Sequence, residues 1–470
     1  MRKGREEQKN EVSRQLELFR WRAGELLPDP TGGTGERMIS RAELLSQLEE
    51  QRTSTEHLME RIVDYGNLTK SFKRVSENDG SPGVDAMDID GLRNWLGNNL
   101  YRLQTDLLSG EYKVSPVKKV EIQKPFGGTR VLGIPTVKDR LIQQAIHQEL
   151  TRWYDPLFSE SSYGFRPGRN AHQAILKASE YVKSGQEWVV DIDLEKFFDK
   201  INHDRLMQRL YKGIGDKGLL RLIKSYLQAG LMVGGLVEQR KSGTPQGGPL
   251  SPLLSNIVLD ELDKELESRG HNFCRYADDC NIFVGSKKAG ERVMASVVEF
   301  IEKKLKLKVN SEKSGVRHCS NVKFLGYTIM SGGRIRVADA SVIKLKDKIR
   351  KITKRSRGVS FNRVIRELNA SFKGWSSYFK LADSWLTEFR ELDGWIRRRL
   401  RCYRLKQCGR CKAIVKLLRS LGTLENKCWN VALYSQGWWN MSNKVAVGHA
   451  MNNKWFALLG LQSLYVLMNP

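Results

Sequence analysis

Tyr276-Ala277-Asp278-Asp279 sets two adjacent carboxylates between apolar runs, with Asn272-Phe273-Cys274-Arg275 before them and Cys280-Asn281-Ile282-Phe283-Val284 after. The pattern predicts a β-hairpin with an acidic tip. An ordinary tight turn prefers Asn-Gly or Asp-Gly. Neighbouring aspartates repel one another unless a cation sits between them, so the hairpin is a candidate divalent-metal site; a solvated acidic turn is the alternative. Upstream, Trp188-Val189-Val190-Asp191-Ile192-Asp193-Leu194 alternates as a strand does and puts Asp191 and Asp193 on one face. Acid on one face and aliphatic on the other is unusual for a core strand, and an edge strand with a wet face is the plain alternative. One carboxylate from this strand and the hairpin pair could together hold two Mg²⁺ ions. Two such ions about 4 Å apart activate an attacking hydroxyl and stabilise a leaving pyrophosphate.

These carboxylates need a scaffold of strands and helices. Val117–Ile122 and Arg130–Ile134 read as strands joined by Pro125-Phe126-Gly127-Gly128. Helical periodicity covers 138–153, 171–183, 204–210, 219–229, 252–269 and 287–305. Asp79 to Asp85 is a loop. From Ala340 onward the chain reads as nearly all helix, and Leu392-Asp393-Gly394-Trp395 opens the helix that carries the arginine cluster at 397–401. Helices mixed with short antiparallel strands predict an α+β part followed by an all-helical one. Residues 1–54 read as an extension, with a Pro- and Gly-rich break at Pro28 to Gly35.

Composition narrows the partners. A formal net charge of +26 over 470 residues points to a polyanion. Residues 341–420 hold 23 Lys and Arg against 6 Asp and Glu, a local excess of +17. Aromatics including Trp375, Tyr378, Phe379 and Trp395 are interleaved there, mostly at core spacing. The seven cysteines are odd in number and no secretory signal stands at the N-terminus, so reduced thiols are expected. Cys408-Gly409-Arg410-Cys411 has zinc-ligand spacing but lacks a clear second pair. The most apolar tail, 456–468, is too short to span a bilayer.

Seven blocks, in order, resemble the group II intron-encoded reverse transcriptases, which are also maturases. They are Ile122 to Pro135, Ser162-Tyr163-Gly164-Phe165-Arg166-Pro167-Gly168-Arg169, Asp193 to Asp199, Gly243 to Pro252, Tyr276 to Asp279, Phe324-Leu325-Gly326-Tyr327, and Lys373-Gly374-Trp375 with Tyr378-Phe379. The resemblance covers roughly residues 55 to 465. It implies a right-hand polymerase fold, with fingers and palm over 55–335, a basic helical thumb/maturase domain over 336–425 and a C-terminal maturase/DNA-binding tail over 426–470. It implies the bacterial type without an HNH endonuclease domain.

The resemblance also implies roles. Asp193, Asp278 and Asp279 would be catalytic and, with Leu194, would hold two Mg²⁺. The family spaces its aspartate five residues before an aromatic; Asp193 and Phe198 fit, whereas Asp191 does not and is read as supporting. Lys124, Arg130, Phe198, Gln246 and Lys313 would contact the incoming nucleotide. Leu325, Gly326 and Tyr327 would form the primer grip. Arg166, Arg169, Arg397, Arg398 and Arg401 would contact template or RNA, with a buried structural guanidinium as the alternative for Arg166. Implied partners are intron RNA, an RNA template with its DNA primer, target DNA and deoxynucleoside triphosphates, in the bacterial cytoplasm and on the nucleoid. Two other readings stand beside this one: a related enzyme serving DNA repair or phage defence, and a maturase acting only as an RNA-binding protein.

Overall fold

The structure, a computed structural model, describes residues 55–469 apart from 124–128, 234–235, 239–241, 246, 384–385 and 435–436. The extension at 1–54, Lys124 and Gln246 therefore lie outside the described residues. The strands in chain order are β1 (Val117–Gln123), β2 (Thr129–Ile134), β3 (Trp188–Ile192), β4 (Leu231–Val233), β5 (Leu236–Glu238), β6 (Asn272–Tyr276), β7 (Asp279–Val284), β8 (Gly315–His318), β9 (Tyr327–Ile329) and β10 (Ile335–Val337). The chain divides into two compact units. One comprises the described residues through Ala174, with Val190–Ile282 and Glu291–Val316; the other comprises Ile175–Val189, Phe283–Gly290 and the described residues from Arg317 onward.

In the first unit, several helices begin where the sequence supplies a side-chain cap. Asp64 accepts from the Gly66 amide at 2.8 Å, Asp88 from Gly91 at 2.7 Å and Thr136 from Asp139 at 3.2 Å. Each such cap is worth about 1 kcal/mol. Helix Ile89–Ser109 buries Leu92, Leu96, Leu100, Leu103 and Leu107, the three- and four-residue spacing of one face. These leucines join a continuous core with Leu141, Ile142, Ile146, Val190, Ile192, Leu254 and Ile282. One sheet runs β2-β1-β4-β5. β1 and β2 are antiparallel, with Ile122 opposite Arg130, and β4 joins β1 in parallel. The short β4–β5 hairpin goes beyond the sequence expectation; its strands are three residues each, too short to show an alternating pattern.

The sheet carrying the acidic segments has the order β6-β7-β3-β8. β3 thus has a neighbour on each side, which rules out the edge-strand reading. It also ends two residues earlier than the expected Leu194. Asp193 lies just past its end, and Leu194 makes an isolated bridge to Val309. β6 and β7 form the expected hairpin, joined by Ala277 and Asp278. The 171–183 helix matches the expectation, and the others differ by a few residues at their ends, except that 287–305 changes to a π-helical turn at Ile301–Leu305.

The second unit is mostly helical, as expected. Asp339–Ile352, Phe361–Tyr378 and Leu386–Cys408 are its longest helices, and they bury Ile349, Leu368, Phe372, Ile396 and Leu400. The last of these begins at Leu386 rather than near Leu392. The architecture is α+β followed by a helical domain. Among the described residues, no helix is long and apolar enough to cross a membrane.

Candidate active site

Asp193 leaves β3 with its side chain 38% exposed. Its carboxylate accepts from Lys313 Nζ and from Asn310 Nδ2, both at 3.2 Å. Its backbone amide donates to Ser314 Oγ at 2.9 Å, and its carbonyl accepts from the Asn310 amide at 2.9 Å. The segment 310–314 therefore fixes Asp193 on three sides. Lys313, expected at the incoming nucleotide, balances the charge of this aspartate here. Sequence reasoning misses Asn310 and Ser314, because a polar turn gives no sign of what it packs on.

Asp278 and Asp279 sit at the hairpin tip, both partly exposed. The tip is strained: Ala277 has φ +59°, in the left-handed region that side chains other than glycine avoid. Such a conformation costs on the order of 1 kcal/mol and persists where surroundings enforce it. Two features enforce it here. Gly164 lies so close that a Cβ on it would fall 2.3 Å from the Ala277 amide nitrogen. Arg275, fully buried, donates to the Ala277 carbonyl at 2.9 Å. Neither residue is anticipated in this role. The available signal is a charged residue between Phe273 and Ala277 in an apolar strand.

A cavity of about 590 Å³ is lined by Phe198, Phe165, Leu132, Arg140, Gly247, Gly248 and Pro249. It brings together Phe198 and the glycine loop, two of the elements expected at the incoming nucleotide. The loop is pinned locally: Thr244 donates its amide to the Phe198 carbonyl at 2.7 Å and Gly243 to Ile201 at 2.8 Å. Glycine is required at 247, where φ is +131° and a Cβ would meet the Gly133 carbonyl at 2.7 Å. Phe165, half exposed, adds a second aromatic wall that the sequence hides behind the arginines beside it. Arg130 belongs to β2, and its backbone stands opposite Ile122.

One template arginine, Arg166, needs correction. The Arg166 side chain is only 4% exposed. It donates to Asp155 Oδ1 at 2.8 Å and to the carbonyls of Ser159, Ser162 and Asp155 at 2.6, 3.0 and 2.9 Å. It is a structural guanidinium, the alternative reading, because its donors are spent on its own loop. Arg169 pairs with Glu160 and remains partly exposed. In the second unit, Arg398 lies over the Trp439 ring at 4.1 Å, and Arg401 donates to the Met451 carbonyl at 2.9 Å. Both hold the long helix to the segments that follow. The Arg397 side chain makes no hydrogen bond or ion pair with the described residues.

Leu325 and Gly326 both adopt positive φ, +49° and +86°. Tyr327 is fully buried, its ring 5.0 Å from that of Phe379, and its hydroxyl donates to the Tyr378 carbonyl. Tyr378 returns a hydroxyl bond to the Leu325 carbonyl at 2.8 Å. Two sequence blocks, 324–327 and 378–379, thus build one turn.

Mg²⁺ usually takes one or two carboxylates and completes its octahedron with water and substrate phosphates. Among the described residues no three His, Cys, Asp or Glu side chains form a ready cage. Asp193, Asp278 and Asp279 are hard oxygen donors with partial solvent access, a donor set suited to a cation shared with a triphosphate. The cysteines do not gather either: Cys411 Sγ faces the Ala432 carbonyl and Cys428 Sγ the Thr423 carbonyl, each at 3.4 Å.

The chain resembles known proteins in two successive segments. Residues 122–329 match the reverse transcriptase (RNA-dependent DNA polymerase) family, and residues 342–421 match the group II intron maturase-specific domain. Protein YkfC of Escherichia coli K12 is 32% identical over 308 residues, 57% of this chain and 80% of its own length. Group II intron-encoded protein LtrA of Lactococcus lactis subsp. cremoris is 30% identical over 349 residues, 60% of this chain and 57% of its own. The putative COX1/OXI3 intron 2 protein of Saccharomyces cerevisiae is 28% identical over 353 residues, 61% and 41% respectively. This chain thus spans less than two thirds of the length of the last two. These matches do not favour the repair, defence or maturase-only readings. The chain belongs to the group II intron-encoded reverse transcriptases and maturases, a family of RNA-directed DNA polymerases.

Proposed function

We propose that this chain copies RNA into DNA at Asp193, Asp278 and Asp279, and that its basic helical domain binds intron RNA to assist splicing and target-primed mobility. The observation that carries the first half is the acidic hairpin beside β3, an interior strand whose end delivers Asp193. When bound, two Mg²⁺ ions lower the pKa of the primer 3′-hydroxyl and neutralise the departing pyrophosphate. Asp193 and Asp278 would hold them, with Asp279 and Leu194 completing the set. Lys313 would release Asp193 to a cation and turn toward phosphate. Phe198, on the wall of the 590 Å³ cavity, would stack below the sugar and exclude a 2′-hydroxyl. Lys124, Arg130 and Gln246 remain assigned to the nucleotide, and Leu325, Gly326 and Tyr327 to the primer end. Arg169, Arg397, Arg398 and Arg401 remain assigned to nucleic acid.

Support for the second half is the match of 342–421 to the maturase domain together with the +17 charge of 341–420. Target DNA is the proposed partner of the segment after 425. The test is primer extension on an RNA template with a DNA primer and deoxynucleoside triphosphates. Extension should need Mg²⁺ and stop with a chelator. Absence of extension under all Mg²⁺ concentrations, with intron RNA still bound, would support the maturase-only reading instead.

A further inference from the structure

Arg275 lies among the sequence motifs without belonging to any of them, and its bond to the Ala277 carbonyl is one of several. Its guanidinium has five N–H donors, and five bonds account for them. Nε and Nη2 meet Asp263 Oδ1 and Oδ2 at 2.6 and 2.5 Å. Nη1 meets Asn256 Oδ1 at 3.0 Å and the Ala277 carbonyl at 2.9 Å, and Nη2 meets Ser162 Oγ at 2.7 Å. The side chains of Arg275 and Asp263 are both 0% exposed.

The partners come from three separate blocks. Asn256 and Asp263 lie on helix Ser251–Ser268, which continues directly from the glycine loop. Ser162 begins the Ser-Tyr-Gly-Phe block, and Asn256 Nδ2 also holds the Gly164 carbonyl at 2.9 Å. Backbone bonds reinforce the seam: the Arg275 amide donates to Ser161 and the Tyr163 amide to Arg275, both at 2.8 Å. Ala277, at the remaining corner, carries the unfavourable φ that aims Asp278 and Asp279.

We infer that Arg275 is a positioning residue for the polymerase reaction: through the Ala277 carbonyl it locks the turn that presents Asp278 and Asp279, and ties that turn to the helix after the nucleotide loop and to the 162–164 segment. This role rests on the proposed catalytic role of those aspartates. A buried ion pair is weak evidence for a gain in stability, since burial costs much of what the pair returns. The planar fork explains why arginine stands here; lysine keeps the charge but cannot reach a carboxylate, an amide oxygen, a carbonyl and a hydroxyl together.

The experiment compares Arg275→Lys, Ser162→Ala and Asp278→Ala in the full chain by primer extension, over a range of Mg²⁺ and of nucleotide, with thermal melting in parallel. Misplacing reacting groups by about 1 Å costs on the order of a hundredfold. Arg275→Lys, assayed well below its melting midpoint, should lose about tenfold or more in kcat. It should need more Mg²⁺ for half-maximal rate and keep its nucleotide KM. Ser162→Ala, which removes one of the five bonds, should shift the Mg²⁺ requirement in the same direction by less. A folded Arg275→Lys enzyme with unchanged kcat and Mg²⁺ dependence overturns the inference, as does a rate loss matched by the unfolded fraction alone. If Asp278→Ala extends normally, the catalytic reading itself fails; if Asp278→Ala is inactive while Arg275→Lys is normal, only the positioning role fails. Should Arg275→Lys not fold, Ser162→Ala carries the test alone, and a wild-type Mg²⁺ profile for it overturns the inference.

Discussion

Residue chemistry decides most of the site. Asp193, Asp278 and Asp279 are legible in the sequence because carboxylates in apolar strand segments break an otherwise regular pattern. Arg166 is not, since only the folded loop shows that four acceptors surround it. Arg166→Gln should therefore cost stability, about 3 kcal/mol for leaving a buried partner unpaired, and thermal melting reads it. A variant that melts normally but binds template RNA weakly would restore the template-binding role. Phe198 yields a different expectation. Its ring lines the cavity and meets Phe197 at 5.4 Å, edge to face. Phe198→Ala should raise ribonucleotide incorporation relative to deoxyribonucleotide while retaining measurable extension. Unchanged sugar selectivity would make Phe198 a core residue only.

At the scale of elements, periodicity shows the helices better than the turns. Helix 171–183 is readable to the residue, while the long helix starting at Leu386 reads as starting six residues late, because Asp393-Gly394 resembles a helix start. In the structure Asp393 is instead buried and caps another segment: it accepts from the amides of Leu464 and Tyr465 at 3.0 and 3.2 Å and from Ser463 Oγ. Such a long-range use of a capping residue leaves no local trace. The turn at 324–327 shows a similar dependence. Its positive φ angles are supported by the Tyr378 hydroxyl on the Leu325 carbonyl. Tyr378→Phe should lower stability by about 1 kcal/mol and weaken extension of a primer more than binding of an RNA template. Equal primer utilisation by both forms would remove the turn from the primer grip.

For the whole molecule, charge points to a nucleic-acid protein without any knowledge of the fold, but it does not say which cations face outward. Arg398 and Arg401 are committed to Trp439 and Met451, so replacing them perturbs packing as well as charge. A cleaner probe is the pair Lys348 and Lys351, exposed and three residues apart on one face of helix Asp339–Ile352. Their replacement by Gln should weaken intron-RNA binding and flatten its salt dependence by about one unit for each phosphate no longer neutralised. Short primer extension at low salt should persist. An unchanged salt slope would make this face a solvated surface and move RNA binding elsewhere. The function of the whole molecule turns on whether the acidic hairpin makes DNA. The most direct measurement is single-turnover primer extension on an RNA template by Asp278→Asn, which keeps the size of the side chain and removes its charge. The expected result is extension reduced by at least about a thousandfold, since the catalytic parts act as a unit, with primer-template binding unchanged. Extension near the wild-type rate would contradict a catalytic role for the hairpin.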